Sequence, residues 1–321
     1  RVGFVAGYVF GIAMFGVGVG WIHESFQYNN VHGPVVWVLS TFFVAFLALF
    51  PAAWGALVAR CQTFMGPAYW WLGFAPAIWA LVEWVRGWFL TGFTWLQVGV
   101  SQTDGPAAGL APLVGAYGLG WFVAATGGAL AWLVLASAMH RASALVVGVL
   151  SVAWLAAYGL QGAAWTEPAG DAVDVALVQG NFSQDIKWRP ENRAKTLARY
   201  KLATEQSVGA RLVVWPETAI PILAHNAADY LHSLGVFARA NGMSVLVGAP
   251  YKDLKTQRYY NSMLSVGLIE ATYHKRHLVP FGEYLPFEWL TRPLLKWLAI
   301  PAPSFTPWQE HQAVAGAGTL R

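Results

Sequence analysis

The amino-acid sequence predicts two architectures in succession: a multi-pass α-helical membrane bundle, then an extracytoplasmic α/β domain built on a layered sheet. Three observations carry this reading. First, charge is displaced towards the C-terminal half. The chain is 56% hydrophobic and only 11% charged, against about 25% charged in an ordinary soluble domain. Of its 20 basic and 16 acidic residues, only Arg1, Arg60, Arg86, Arg141, Glu24, Glu83 and Asp104 precede Trp165. Second, the first half is a series of apolar runs of roughly 20 residues, the length that crosses the hydrocarbon core of a bilayer. Third, from Asp174 onwards short β-rich runs alternate with helical patterns, as in an α/β layered sheet. The expected domains are residues 1–165 and 170–321.

Five spans are expected, at about 2–22, 34–58, 68–90, 107–138 and 143–161. Gly3, Gly7 and Gly11 recur at i, i+4 in the first, so one face has no side chains and another helix can approach closely. The nearby "GVGVG" (residues 16–20) imitates a nucleotide-binding loop. It lacks the preceding strand that such a loop needs, so that reading fails. The fourth span is long enough to include a re-entrant or interfacial stretch around Gly105-Pro106 and Pro112. If the spans alternate, Arg1, Arg60 and the His140-Arg141 pair fall on one side, with Glu24 and Asp104 on the other. The positive-inside rule makes the basic side cytoplasmic and everything after about Gly162 extracytoplasmic.

Glu83 and Arg86 lie one helical turn apart within the third span. They read either as an i, i+3 ion pair with Arg86 snorkelling to the headgroups, or as a site for a lipid headgroup, because intramembrane charges are costly and often functional. The outer loop "TGFTWLQVGVSQ" (91–102) fits both an aromatic belt and a substrate entrance.

In the second half, "DVALVQGN" (174–181) is a short strand ended by Gly-Asn, and residues 190–208 start a helix at Pro190, with Leu197, Tyr200 and Leu202 between charges. "RLVVWPET" (211–218) is the second strand. Residues 226–242 form a helix with an Asn-Gly stop, and "MSVLVGAP" (243–250) is the third strand. "NSMLSVG" and "IEATYHKRHLVPFGEYLP" read as a hairpin and a long loop. Chemistry in such sheets collects just beyond the strand C-termini, where Glu217 stands.

Three stretches carry candidate chemistry. Glu217 follows an apolar strand and a proline that ends the ladder, so its carboxylate projects from a rigid point; a cap or surface acid is the competing reading. Lys275 lies in "YHKRHLVPFGEYLP" with Glu283 eight residues later, and a lysine beside a carboxylate can hold an oxyanion or tune its neighbour. His274 and His277 flank it, but two histidines without a third ligand make a weak zinc site, and no metal is expected. Trp188 follows the first strand as either a cavity wall or a lid. The net charge of +4 is spread without a basic run, which excludes a nucleic-acid footprint. The single cysteine, Cys61, excludes a disulfide framework.

Five spans followed by "VQGN…KW", "VVWPET" and "HKRHLVPFGEYLP" resemble the bacterial apolipoprotein N-acyltransferase family of the carbon–nitrogen hydrolase (nitrilase-like) superfamily. The likeness extends to "FGIAMFGVGVGWIHES" (10–25), "EWVRGWFLTGFTWLQVGVSQ" (83–102) and "APLVGAYGLGWFVA" (111–124). The resemblance implies a nitrilase-like αββα sandwich, a Glu–Lys–Cys triad and no cofactor. Glu217 matches the general base, Lys275 the oxyanion-stabilising lysine, Glu283 a supporting acid, and Trp188 a tryptophan near the acyl-donor site. It implies a ping-pong transfer through a thioester. The acyl donor would be a phospholipid such as phosphatidylethanolamine, and the acceptor the N-terminal amine of a diacylated apolipoprotein. The setting would be the bacterial inner membrane, with the catalytic domain on its periplasmic side.

The sequence departs from that pattern at the nucleophile. No cysteine follows Cys61, which falls in the loop after the second span, on the cytoplasmic side. The chain therefore reads as a fragment lacking both ends, its nucleophile expected beyond Arg321, and as given it is expected to form no acyl-enzyme. A membrane-tethered amidase or nitrilase, with water as acceptor, and an inactive membrane scaffold are the alternatives.

Overall fold

The computed structural model describes residues 1–28, 33–61, 69–135, 140–297 and 304–312. They divide into two compact units, Arg1–Glu167 and Pro168–Arg321. Residue 68 of the expected third span and residues 136–138 of the fourth lie outside the described residues.

The first unit is helical: α1 (Val2–Gly18), α2 (Ile22–Tyr28), α3 (Pro34–Cys61), α4 (Ala75–Arg86), α5 (Ala111–Leu135) and α6 (His140–Gly159). Three helical stretches are long and apolar enough to cross a membrane, Pro34–Cys61, Ala108–Val134 and Ser143–Gly162, and Val2–Gly18 is a shorter apolar helix. A π-helical turn, Trp70–Phe74, leads into α4, and Trp54 Nε1 donates to the carbonyl of Ala75 at 2.9 Å. The glycine stripe of α1 packs on α3. A Cβ at Gly7 would stand 2.2 Å from the Pro51 carbonyl oxygen, and one at Gly11 would stand 2.7 Å from Ala48 Cα. Two helices with no apolar driving force between them in lipid associate by such close backbone approach. Before α5 the chain makes two short 3-10 turns, Val98–Gln102 and Ala108–Leu110, and α5 itself breaks at Gly115, whose φ of 64° favours glycine.

Glu83 and Arg86 make the i, i+3 ion pair at 3.7 Å, but Arg86 does not snorkel. It is only 3% exposed and donates to the carbonyls of Phe93 and Trp95 at 2.7 and 2.6 Å, while Glu83 Oε1 accepts from the Val98 amide at 2.9 Å. The pair holds the 93–98 loop to the end of α4.

The second unit carries one five-stranded mixed sheet in the order β1 (Val175–Leu177), β2 (Leu212–Val214), β3 (Ser244–Lys252), β4 (Tyr259–Gly267), β5 (Ala271–His274). The first three strands are parallel, and β3–β4–β5 continue as antiparallel neighbours. Helices α7 (Arg193–Glu205) and α8 (Ala228–Ala240) make the two crossovers, and α9 (Glu288–Trp297) follows the sheet. The buried stripe of α7 is Thr196, Tyr200 and Thr204, one helical face at i, i+4. Leu202 projects from another side and is exposed.

The core of this unit centres on Trp215, fully buried among Val213, Val245, Val247, Ile220 and Tyr200. Its ring stacks on Tyr200 at 4.8 Å, and its Nε1–H donates to Thr204 Oγ1 at 3.0 Å. Thr204 passes the bond on to the Tyr200 carbonyl at 2.9 Å, so the buried indole has its donor satisfied. The residue that closes β2 is thus pinned before the chain turns outward to Glu217.

Two substitutions test this packing. Gly7→Leu should separate α1 from α3 and lower the thermal midpoint in detergent, by roughly 1–3 kcal/mol or more for an overpacked contact. Trp215→Ala should cost about 3–5 kcal/mol, read by denaturant unfolding; a loss below about 1 kcal/mol in either case would contradict the packing described.

Candidate active site

Three strands deliver polar groups to one end of the sheet. In parallel β2 this end is the C-terminus; in β4 it is the N-terminus, and β5 returns to it. Glu217 stands just past β2. Trp215 N–H still bonds to the Leu246 carbonyl at 2.9 Å, and Pro216 then takes the chain out of the ladder. The chain folds across β3 at Gly248, returning with Ile220 N–H on the Gly248 carbonyl at 3.1 Å. A Cβ at Gly248 would stand 2.4 Å from the Pro216 oxygen and 2.8 Å from Glu217 Cα. Thr218 completes the turn in the left-handed region, with φ 51°.

Asn261 on β4 and Lys275 just after β5 are cross-strand neighbours, with the Lys275 amide donating to the Asn261 carbonyl at 2.8 Å. Strand alternation puts both side chains on the same face. The "HLVPFGEY" segment then folds back: Glu283 N–H bonds to the Val279 carbonyl at 2.9 Å, and Phe281 takes a left-handed φ of 62°.

The side chains meet around Asn261, which is buried. Its Nδ2 donates to Glu217 Oε1 and to Glu283 Oε1, the latter at 2.7 Å. Lys275 Nζ bridges both oxygens of Glu283, at 3.0 Å and 2.9 Å, and lies 3.5 Å from Glu217 Oε1. Glu283 Oε2 also accepts from the Val279 amide at 2.7 Å. Each Glu283 oxygen therefore has two donors, which fills the acceptor capacity of a carboxylate. Glu217 differs. Its side chain is 62% exposed, and among the described residues no donor reaches its Oε2. One carboxylate is consumed by structure and the other keeps an open oxygen at the surface.

Burial works against the charge on Lys275. The hydrogen bond that it donates to Glu283 and the negative charges of Glu217 and Glu283 outweigh that, so its pKa rises above the ordinary 10.5. Lys187, at the turn before Trp188, moves the other way: burial lowers its pKa, and the charge of Glu217 offsets only part of that. Lys187 thus lies within electrostatic reach of Glu217. Trp188 is half-exposed, with Lys187 Nζ 5.9 Å from its ring centroid; it makes no hydrogen bond to the Glu–Lys–Glu group.

The sequence reading brings together Glu217, Lys275 and Glu283, and the structure places all three within one hydrogen-bonded cluster. The histidines flanking Lys275 are not part of it. His274 points to the opposite face of the sheet by alternation, where Ser262 Oγ meets its Nδ1 at 2.7 Å. Sequence reasoning missed Asn261, Lys187 and Gly248. The signal for Asn261 was present: a lone amide inside the apolar strand "YYNSMLSVG". Cys61 ends α3 in the other unit, and the unit that holds this cluster contains no cysteine.

Comparison with known proteins agrees with these two units. The apolipoprotein N-acyltransferase N-terminal domain model matches residues 1–129, and the carbon–nitrogen hydrolase model matches residues 174–314. The chain is 41% identical to the apolipoprotein N-acyltransferase of Methylococcus capsulatus, over 97% of this chain and 62% of that protein. For the Vibrio cholerae protein of the same name the identity is 35%, over 93% and 60%. For that of Pseudomonas syringae it is 37%, over 97% and 62%. The chain thus spans about three-fifths of the length of these relatives.

Gly248→Ala should push the 216–218 turn off β3 and break the Glu217–Asn261 contact, with a loss of about 1–3 kcal/mol in unfolding experiments. Lys275 should contribute stability that is complete below its unfolded pKa of 10.5 and is lost as pH rises beyond it. Unfolding free energies of wild type and Lys275→Met, compared from about pH 9 to 12, should converge at the alkaline end.

Proposed function

We infer the function from one premise: this chain belongs to the apolipoprotein N-acyltransferase family. It is a membrane protein. We propose that the five segments of residues 1–165 form the lipid-embedded part and that residues 170–321 are the first part of a carbon–nitrogen hydrolase domain. The complete protein would move an acyl chain from a phospholipid, phosphatidylethanolamine being the expected donor, to the free amine of a diacylglyceryl-cysteine at an apolipoprotein N-terminus. The setting we propose is the bacterial inner membrane, with the catalytic unit on the periplasmic side. The basic residues at the helix ends, Arg60 and Arg141, support that orientation.

The observation that carries the chemistry is the unequal use of two carboxylates around one lysine. Glu217, with its open oxygen, is our general base. It takes the proton from a cysteine thiol, and the thiolate attacks the ester carbonyl of the donor lipid. The protonated Lys275 ammonium faces the oxygen that becomes negative, an electrostatic role that a raised pKa favours. As the tetrahedral intermediate collapses, the C–O bond to the lysolipid breaks and Glu217 returns the proton to the leaving oxygen. A thioester remains. The acceptor amine then attacks it, its proton passes to Glu217, and the C–S bond breaks to leave an amide and a thiol. Glu283, saturated by four contacts from three donors, keeps Lys275 in place and transfers no proton. Trp188 would line the acyl-donor side. The thiol itself we assign to a cysteine outside these 321 residues. The hydrolase and scaffold alternatives are not favoured, because the relatives over both units carry the transferase name.

The test uses the protein expressed from its complete gene, with labelled phosphatidylethanolamine as donor and a diacylated lipopeptide as acceptor. Glu217→Gln should reduce thioester accumulation by about 10²–10⁴-fold, and Lys275→Ala by about 10²–10³-fold. Wild-type acyl-enzyme formation in either variant would refute the assigned roles. Glu283→Gln should act through Lys275 and shift the alkaline limb of the pH profile downward.

A further inference from the structure

Residues 305–312 pass from the start of β4 to the outer edge of β5 and bond to the backbone of both Glu283 and Lys275. Phe305 N–H donates to the Glu283 carbonyl at 3.0 Å, Thr306 N–H to the Tyr259 carbonyl at 2.7 Å, and Trp308 N–H to the Lys275 carbonyl at 3.1 Å. Gln312 then uses its carboxamide as a strand would use a peptide unit. Its Oε1 accepts from the His274 amide at 2.6 Å, and its Nε2 donates to the His274 carbonyl at 2.8 Å. An edge strand leaves every second N–H and C=O unpaired; here both groups of His274 are closed by one side chain.

The side chains reinforce the same point. His274 is enclosed by three rings, Tyr251 at 5.1 Å, Tyr260 at 4.9 Å and Trp308 at 4.6 Å, while Ser262 holds its Nδ1. Burial keeps its pKa below the ordinary 6.5, an effect that the charge of Asp253 opposes only in part. Because successive residues of a strand face opposite ways, fixing the His274 ring on one face fixes the direction in which Lys275 leaves the other. The backbone between them has almost no remaining freedom. The Lys275 amide is held by Asn261, its carbonyl by Trp308, and both polar groups of His274 by Gln312.

We propose that residues 305–312 are a strap that positions Lys275 and Glu283 against Glu217, with Trp308 and Gln312 as the positioning residues. This rests on the catalytic reading of Lys275 and extends it to a part of the chain outside the Glu–Lys–Glu cluster. The strap sets how firmly the lysine is seated between its two carboxylates, and so how strongly it holds its proton.

The experiment reads that seating directly, through competitive reductive dimethylation of the complete protein followed by site-resolved mass spectrometry. Lys255 on the β3–β4 turn serves as the internal reference. Gln312→Glu keeps the side-chain volume but replaces the donor facing the His274 carbonyl with an acceptor. Lys275 should then label about three- to tenfold faster relative to Lys255, the scale of one lost hydrogen bond. The alkaline limb of acyl-enzyme formation should move to lower pH. Trp308→Ala should act in the same direction, and Trp308→Phe, which keeps the ring against His274, should restore most of the wild-type behaviour. Unchanged Lys275 labelling in both Gln312→Glu and Trp308→Ala would overturn the proposal, as would faster labelling with an unmoved pH limb. If Lys275→Ala were fully active, the catalytic reading would fail while the labelling result still decided whether the strap seats the lysine.

Discussion

The second unit depends on one buried amide. Asn261 spends both hydrogens of its Nδ2 on two carboxylates that would otherwise repel each other across a short gap. A hydroxyl has one donor to give and a lysine would neutralise rather than merely separate the pair. A neutral group with two hydrogens holds Glu217 and Glu283 side by side and leaves the single positive charge of Lys275 to face both. Every other feature of the site serves that arrangement: the glycine at 248 that lets the Glu217 turn lie against β3, the fold-back at Val279–Glu283, and the strap behind β5.

The unequal environments of the two glutamates follow from where the chain delivers them. Glu283 arrives at the end of a segment that folds back on itself, so the Val279 amide and the Lys275 ammonium are already beside it. Its four acceptor contacts make it part of the framework. Glu217 arrives from a strand end, and among the described residues its side chain stays largely exposed, with only one oxygen held. In a low-dielectric setting a saturated carboxylate loses its usefulness as a base, while a half-held one at the surface can exchange a proton with a ligand. The same logic operates in the helical unit. There Arg86 and one oxygen of Glu83 bond to backbone groups of the 93–98 loop, which makes the pair an internal clamp.

Much of this was legible in the residues. The charge step at Trp165, the apolar runs and the strand–helix alternation fixed the class of each unit, because burial in lipid and burial in a sheet demand different spacings of apolar side chains. Glu217 was legible because proline ends a strand and a carboxylate there has few structural duties. Lys275 and Glu283 were legible as a pair only through the motif that contains them. Which neighbours share a face with Lys275 was not legible: His274 belongs to the other face of β5 while Tyr273 alternates onto the same face as Lys275, a distinction that appears only once the register with β4 is known. Of the apolar residues named for the helix of residues 190–208, Tyr200 is buried and Leu197 packs against the core, whereas Leu202 is exposed.

The sequence by itself determined that this protein has a lipid-embedded part and an α/β part, and it singled out Glu217, Lys275 and Glu283 as candidates. Those are properties of composition, local periodicity and residue type, and each is written within a few consecutive positions. Only the tertiary structure decided that Asn261 joins the two carboxylates, that Glu283 is saturated while Glu217 is open, and that Gln312 closes the edge behind Lys275. These are pairings across 22, 44 and 38 positions of the chain. Such distances in sequence carry no periodic signal; the parallel and antiparallel registers of β2 to β5 bring them within hydrogen-bond reach.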